Sequence, residues 1–420
     1  MDNKSIKSRF VLRIKRPAFE DFAVVYFSLT YIITIANNTI RHFAGNTYKL
    51  DTALIYTLFI VLLMTVLKEA LRRISVWQII GLLAVICITL LSMSFSSEPA
   101  VNWQVLQDIL LECVPMFICG ACIYDFGKVR HGLIRIMTIV PYCYFLMRVF
   151  EFSMFNMEES YSQYGGYSML LISVVLTSAL FEHFSVKYLI PLVISMFFMV
   201  AYGARGPLVC WLLFILLLII VHLAHRDNNI KKICIIAIIG ALIGIVYKNF
   251  YSILSLLLIW FNKLGFSVRV VNRLLDKNFL EDTERDTISQ ICLERISNNP
   301  FIGTGIVNDR IYIASRLGVT DAIGNYPHNI FLEFLMQYGM LVGIVLIVLM
   351  VWMLFKSYRV ASDKQTKEFI GILVGTYMFP LMFSESYINA PGFYLLVGVC
   401  IATIVKKKNA VALEVNDQEG

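Results

Sequence analysis

Charge is what this sequence has least of. Only 15% of its 420 residues are Asp, Glu, Lys or Arg, against 58% hydrophobic residues, and the mean hydropathy is +0.73. A water-soluble domain carries about 25% charge, so the solvent for most of this chain is lipid. The apolar runs also lack alternation: residues 208–221 are apolar on every side. Strands of a membrane barrel alternate apolar and polar, so a barrel is excluded. Metal and disulfide signatures are missing too. Of nine cysteines, all but Cys292 fall in or at the ends of apolar segments, and the loops hold no CxxC spacing and no HExxH. Neither a disulfide nor a structural metal is expected.

What is present is a series of apolar segments of membrane-spanning length. A bilayer core about 30 Å thick needs helices of about 20 residues, because each backbone amide must be paired within its own segment. Twelve such segments run near 19–38, 52–69, 76–95, 104–124, 132–151, 166–183, 186–203, 206–225, 232–250, 339–357, 368–385 and 391–405. The fold class expected is therefore all-α: a polytopic integral membrane protein of about 12 transmembrane helices with a large extracytoplasmic loop containing short helices. The expected divisions are a membrane domain over 1–250, the loop over 251–327, a second membrane part over 328–405 and a cytoplasmic tail over 406–420. The basic start (Lys4, Lys7, Arg9, Arg13, Lys15, Arg16) resembles a signal peptide, but the further spans make the first segment a retained anchor.

Lys and Arg are held on the cytoplasmic side of short loops. With both termini inside, the cytoplasmic segments gather Lys68, Arg72 and Arg73, Lys128, Arg130 and Arg135, Arg226, Lys231 and Lys232, Lys356, Arg359, Lys364 and Lys367, and Lys406 to Lys408. Short outer turns keep only Arg41, Lys49, Arg148 and Arg205. The net charge of +7 is thus a consequence of topology, and no nucleic-acid partner is inferred from it.

The long loop from about Lys248 to Pro327 is neither apolar nor low in complexity, and loops of that kind carry function. Arg269 and Arg273 stand one helical turn apart among Val268, Val270, Val271 and Leu274. They suit an interfacial helix that contacts phosphate or lipid head groups, or that merely snorkels. From Glu281 to Pro300 a short amphipathic helix is expected, with Thr283 and Asp286 at capping-box spacing. On it Arg285 shares a stripe with Ile288, Ser289, Cys292 and Ile296 and so points inward. It can clamp a phosphate or diphosphate, or form an internal ion pair with Glu281 or Asp282. Asn299-Pro-Phe-Ile-Gly-Thr-Gly305 reads as a tight turn, and no GxxxxGK[ST] makes it a nucleotide loop. Asn325-Tyr-Pro-His-Asn-Ile-Phe-Leu-Glu leads into the tenth segment with Pro327 in a first helical turn. That places His328 over Phe331, Leu332 and Leu335, as a general base or as a residue that only bonds its neighbours. Tyr202-Gly-Ala-Arg-Gly-Pro207 is an outer hairpin with Arg205 at its tip. Arg205, Arg285 and His328 can all reach an outward-facing site.

Three stretches together resemble the bacterial O-antigen polymerase and O-antigen ligase family. They are Ala204-Arg-Gly-Pro opening an apolar span, the Arg285 helix running into Asn299-Pro-Phe-Ile-Gly-Thr-Gly, and Pro327-His-Asn-Ile-Phe-Leu-Glu followed by Tyr338-Gly and Gly343. The third is the most specific. Thr283-Glu-Arg departs from the family, where many relatives have a glycine just before the arginine. The resemblance implies a glycosyltransferase of the bacterial cytoplasmic (inner) membrane that needs no cofactor, metal or nucleotide. By the same resemblance Arg205 and Arg285 hold the diphosphate of an undecaprenyl-diphosphate-linked oligosaccharide, and His328 is catalytic and assists the acceptor hydroxyl. Its partners would be that lipid-linked glycan and membrane lipids, with a flippase and a chain-length regulator if it is a polymerase. The expected activity is polymerisation of lipid-linked repeats into O-antigen, capsule or exopolysaccharide. The alternatives are ligation to lipid A core or another acceptor and, from a different class, a lipid-glycan flippase or transporter. Against a carrier, only about 182–187 separates the sixth and seventh segments and intramembrane charges are few.

Overall fold

The computed structural model describes residues 18–44, 48–93, 98–150, 163–202, 205–224, 248–264, 272, 275, 283–320 and 322–419. Among these residues the regular structure is helical throughout. In chain order the helices are α1 Phe19–Phe27, α2 Leu29–Ala44, α3 Tyr48–Arg73, α4 Val76–Met93, α5 Pro99–Asp108, α6 Val114–Cys122, α7 Phe126–Val149, α8 Gln163–Glu182, α9 Val186–Ala201 and α10 Arg205–Ala224. They continue as α11 Phe250–Leu264, α12 Thr283–Asn298, α13 Asn308–Leu317, α14 Ile330–Val360, α15 Lys364–Leu373, α16 Phe379–Phe383 and α17 Pro391–Glu419. Wider π turns at Ile109–Cys113 and Val374–Met378 join α5 to α6 and α15 to α16.

Over the described residues the expected apolar segments are largely helical, and 232–247 lie outside those residues. The count of twelve crossings does not follow. Among the described residues four helices are long and apolar enough to cross a bilayer, those at Val101–Cys122, Phe126–Val149, Gly165–Glu182 and Ile330–Val360. Two bent pairs, Phe19–Phe27 with Leu29–Ala36 at 56° and Val61–Arg73 with Gln78–Leu91 at 107°, raise this to six, and Val186–Ala201, Arg205–Val221 and Pro391–Lys406 are shorter. The reason is geometric: several apolar segments fold as short or broken helices. Two further features were not anticipated. A helix, α11, occupies the start of the expected loop, and α17 continues as helix through the expected tail.

Close helix approach builds the core. A side chain at Gly120 of α6 would lie 2.4 Å from the Leu395 carbonyl of α17, and one at Gly398 would lie 2.4 Å from the Phe117 carbonyl. Paired small residues of this kind let helices pack in lipid, where no hydrophobic force separates them from solvent. Charge locks one end of the bundle. Arg130 on α7 is buried between Glu182 of α8 at 2.7 Å and Glu368 of α15 at 2.8 Å, with Lys364 also reaching Glu368 at 3.4 Å. At the same end Lys406 donates to the Tyr124 carbonyl at 3.0 Å. The chain from Glu368 to Ser384 rises about 24 Å at helical pitch, so Ser384 lies at the opposite end.

At that opposite end α14 is broken. Gly339 has φ 75° and ψ 166°, which no helix allows, so residues 330–338 form a separate short helix and 340–360 the spanning part. The turn at 300–305 fills the break. Thr304 N–H donates to the Met336 carbonyl at 2.8 Å, Gly305 N–H to Gln337 at 2.9 Å, and Met340 N–H to the Pro300 carbonyl at 2.7 Å. Backbone groups stranded by the break are thereby paired, as a site at membrane depth requires. A side chain at Gly303 would stand 2.1 Å from the Gln337 carbonyl and one at Gly339 2.5 Å from the Phe301 carbonyl. The two glycine-containing motifs of the sequence are therefore halves of one joint. Gly339→Ala is expected to lower stability by about 1–3 kcal/mol through strain at a left-handed position. Gly371→Ala, in open space within α15, is expected to raise it by about 0.5–1 kcal/mol. Denaturation midpoints of the two detergent-purified variants check the opposite signs.

Candidate active site

The connector Ser384–Ser386 follows α16 and leads into a 3-10 turn at Tyr387–Asn389. It is the seat of the site. Its first carbonyl, that of Ser384, accepts from the Tyr326 hydroxyl at 3.1 Å and lies 3.0 Å from His328 Nδ1. A carbonyl can only accept, so Nδ1 carries the proton and Nε2 is the ring's acceptor nitrogen. That is the tautomer a general base needs.

His328 does not sit where the sequence periodicity put it. Asn329, not Pro327, opens α14: its side chain accepts from Phe331 N–H and Leu332 N–H, and its amide donates to the Met382 carbonyl at 3.2 Å. His328 precedes this cap at φ 52°. From this left-handed position the imidazole bonds the connector. Its ring centre lies 4.2 Å from that of Tyr326. A non-glycine residue in this region is uncommon and, when it is held there by specific bonds, frequently marks a functional position.

Arg285 reaches the same connector from α12. Its Nη1 donates to the Phe383 carbonyl at 2.9 Å and to Ser384 Oγ at 3.3 Å. The inward stripe is as expected, with Ile288 and Cys292 buried beneath it. Neither Glu281 nor Asp282, the expected ion-pair alternatives, lies among the described residues. Two bonds from one nitrogen fix the plane of the guanidinium fork, which suits planar recognition of phosphate.

Arg205 is the half-buried first residue of α10. Its neighbour Gly206 packs directly on the connector: a side chain there would lie 2.8 Å from Ser384 Oγ and 2.5 Å from the Tyr167 hydroxyl. Ser384 is therefore touched from the Arg285 helix, the His328 segment and the Arg205 helix. Arg269 and Arg273 lie outside the described residues.

Residues the sequence reading passed over complete the site. Ser384, Glu385 and Ser386 lie within or just past the expected eleventh span, yet three consecutive polar residues in an apolar run were the available signal. Tyr326 stood unremarked beside His328. Glu385 lies within electrostatic reach of Tyr167, Cys210 and Tyr377.

Compared with known proteins, residues 190–362 match the family described as O-antigen ligase. That segment contains Arg205, Arg285 and His328 and ends before the 384–389 connector. No curated protein matches the chain.

Proposed function

We propose that this chain, whose residues 190–362 match the family described as O-antigen ligase, is a polymerase of lipid-linked repeat units. It moves a growing glycan from undecaprenyl diphosphate onto a sugar hydroxyl of another lipid-linked repeat, on the outer face of the cytoplasmic membrane. The observation that carries the reading is the shared seat: Arg285 and His328, far apart in sequence, both bond Ser384.

In this reading Arg205 and Arg285 grip the diphosphate of the donor. The acceptor hydroxyl gives its proton to His328 Nε2 while its oxygen bonds to the anomeric carbon. The bond from that carbon to the diphosphate oxygen breaks, and the lipid diphosphate leaves with the electron pair. Each arginine contact is charge-assisted and worth about 1.5–3 kcal/mol, most useful where the charge on the leaving oxygen grows. A positioned base contributes about 10²–10⁴ in rate. The outward orientation rests on the basic residues gathered at the Arg130 end, opposite the site. Arg269 and Arg273 are proposed as lipid or phosphate contacts from sequence alone.

The ligase reading is favoured by one observation, that the matched family is described as O-antigen ligase. The two differ in product: long chains still attached to the lipid carrier against glycan joined to a different acceptor. Purified protein given lipid-linked repeats is expected to yield a ladder on a gel. His328→Ala is expected to cut turnover by about 10²-fold or more, whereas Ser384→Ala, which keeps the backbone carbonyl, should leave most of it. A full ladder from His328→Ala would remove the histidine from the chemistry.

A further inference from the structure

One arginine not yet given a role ties together the two segments that meet at the site. Arg310 on α13 is fully buried. Its Nη2 donates to Ser386 Oγ at 2.9 Å and to Asn389 Oδ1 at 2.9 Å, both in the connector region. Its Nη1 donates to the Ile323 carbonyl at 3.2 Å, and its guanidinium carbon lies 5.3 Å from the ring centre of Tyr326. Ile323 and Tyr326 belong to the segment that ends at His328. A single planar fork thus spans the gap between the His328 segment and the connector that His328 and Arg285 bond.

The surroundings hold that fork in place. Ser386 Oγ also donates to Glu333 Oε1, and Tyr387 N–H donates to Glu333 Oε2 at 3.3 Å. Gln337 Nε2 donates to Asp309 Oδ2 at 2.9 Å, and the Tyr387 hydroxyl donates to Gln337 Oε1 at 2.6 Å. Asn389 is gripped from the other side, its amide donating to Asp108 Oδ2 at 3.3 Å. Two buried carboxyls, Asp309 and Glu333, face one guanidinium; burial raises both, and the charge of Asp309 adds to the rise at Glu333, which reaches about 8. Removing one partner from such a network leaves uncompensated charge or stranded donors, which is why its geometry is so strongly determined.

We propose that Arg310 is a positioning residue for the transfer reaction: it sets the register between the His328 segment and the 384–389 connector without touching substrate. The proposal rests on the polymerase reading for its chemistry, but the geometry it asserts can be read without activity. Lysine cannot replace the fork, because one ammonium on a flexible stem does not span three acceptors in fixed directions. Asn389→Ala removes one of the two Arg310 bonds to the connector region, and the bond to Asp108 with it, while leaving every buried charge in place, and so guards against simple loss of folding. Glu182→Gln, in the distant Arg130 cluster, is the control for a merely structural ion pair.

The test uses the full chain purified in detergent. Its first arm is the rate at which diethyl pyrocarbonate modifies His328, read by peptide mass spectrometry. Its second is turnover per folded molecule on lipid-linked repeats. Arg310→Lys and Asn389→Ala are expected to raise the His328 labelling rate severalfold and to lower turnover at saturating donor by about tenfold or more, with donor KM within about threefold. Glu182→Gln should do neither. Unchanged labelling in Arg310→Lys and Asn389→Ala, or equal changes in Glu182→Gln, would overturn the assignment. If the wild-type protein transfers no glycan, the polymerase reading fails, and the labelling arm still decides the role of Arg310.

Discussion

The site depends on one backbone carbonyl. Ser384 O takes Tyr326 and His328, while the same residue's hydroxyl takes Arg285 and sits against Gly206. A carbonyl cannot change protonation state or rotamer, so it fixes the tautomer of the neutral histidine. For that carbonyl to stay in place, the connector carrying it must be rigid on both sides. The Val374–Met378 π turn and short α16 lead into it, and the 3-10 turn at Tyr387–Asn389, held by Glu333 and Arg310, leads away. Strain at His328 is tolerated because these neighbours over-determine its position.

Two buried polar clusters lie at opposite ends of the described bundle. At one end Arg130 with Glu182, Glu368 and Lys364 clamps α7, α8 and α15. At the other, charge is buried in the Asp309, Arg310 and Glu333 network beneath the site. Between them the packing is apolar and close, with glycine pairs such as Gly120 and Gly398 setting helix separation. Outward faces of α14 such as Leu341, Val348 and Trp352 are exposed, as a lipid-facing surface demands.

The apolar segments were legible because lipid imposes length and composition so strongly, and the Arg285 stripe because period 3.6 is a strong signal. The position of His328 was misread. Sequence periodicity assumes helix until a breaker intervenes, and Pro327 is compatible with a helix start, so nothing local announced that Asn329 would cap the helix instead. The twelve crossings are not confirmed: among the described residues, hydropathy alone does not show that Val186–Ala201 is a shorter helix or that Val61–Arg73 and Gln78–Leu91 meet at a bend of 107°. The polar run at 384–386 is visible in the sequence, but the roles of Ser384 and Arg310 are not. Their importance lies in partners 56 to 99 and 13 to 79 residues away respectively, and pairings at such separations leave no pattern in a single chain.

The central claim is that Arg205, Arg285 and His328 serve one diphosphate-centred site around Ser384. The most direct measurement is a cryo-electron microscopy structure of the protein in a lipid nanodisc with an undecaprenyl-diphosphate-linked sugar bound. The account predicts the diphosphate in contact with the Arg205 and Arg285 guanidinium groups, with the sugar on the side of His328 Nε2. A diphosphate bound away from the 384–389 connector, or held there by neither arginine, would contradict it.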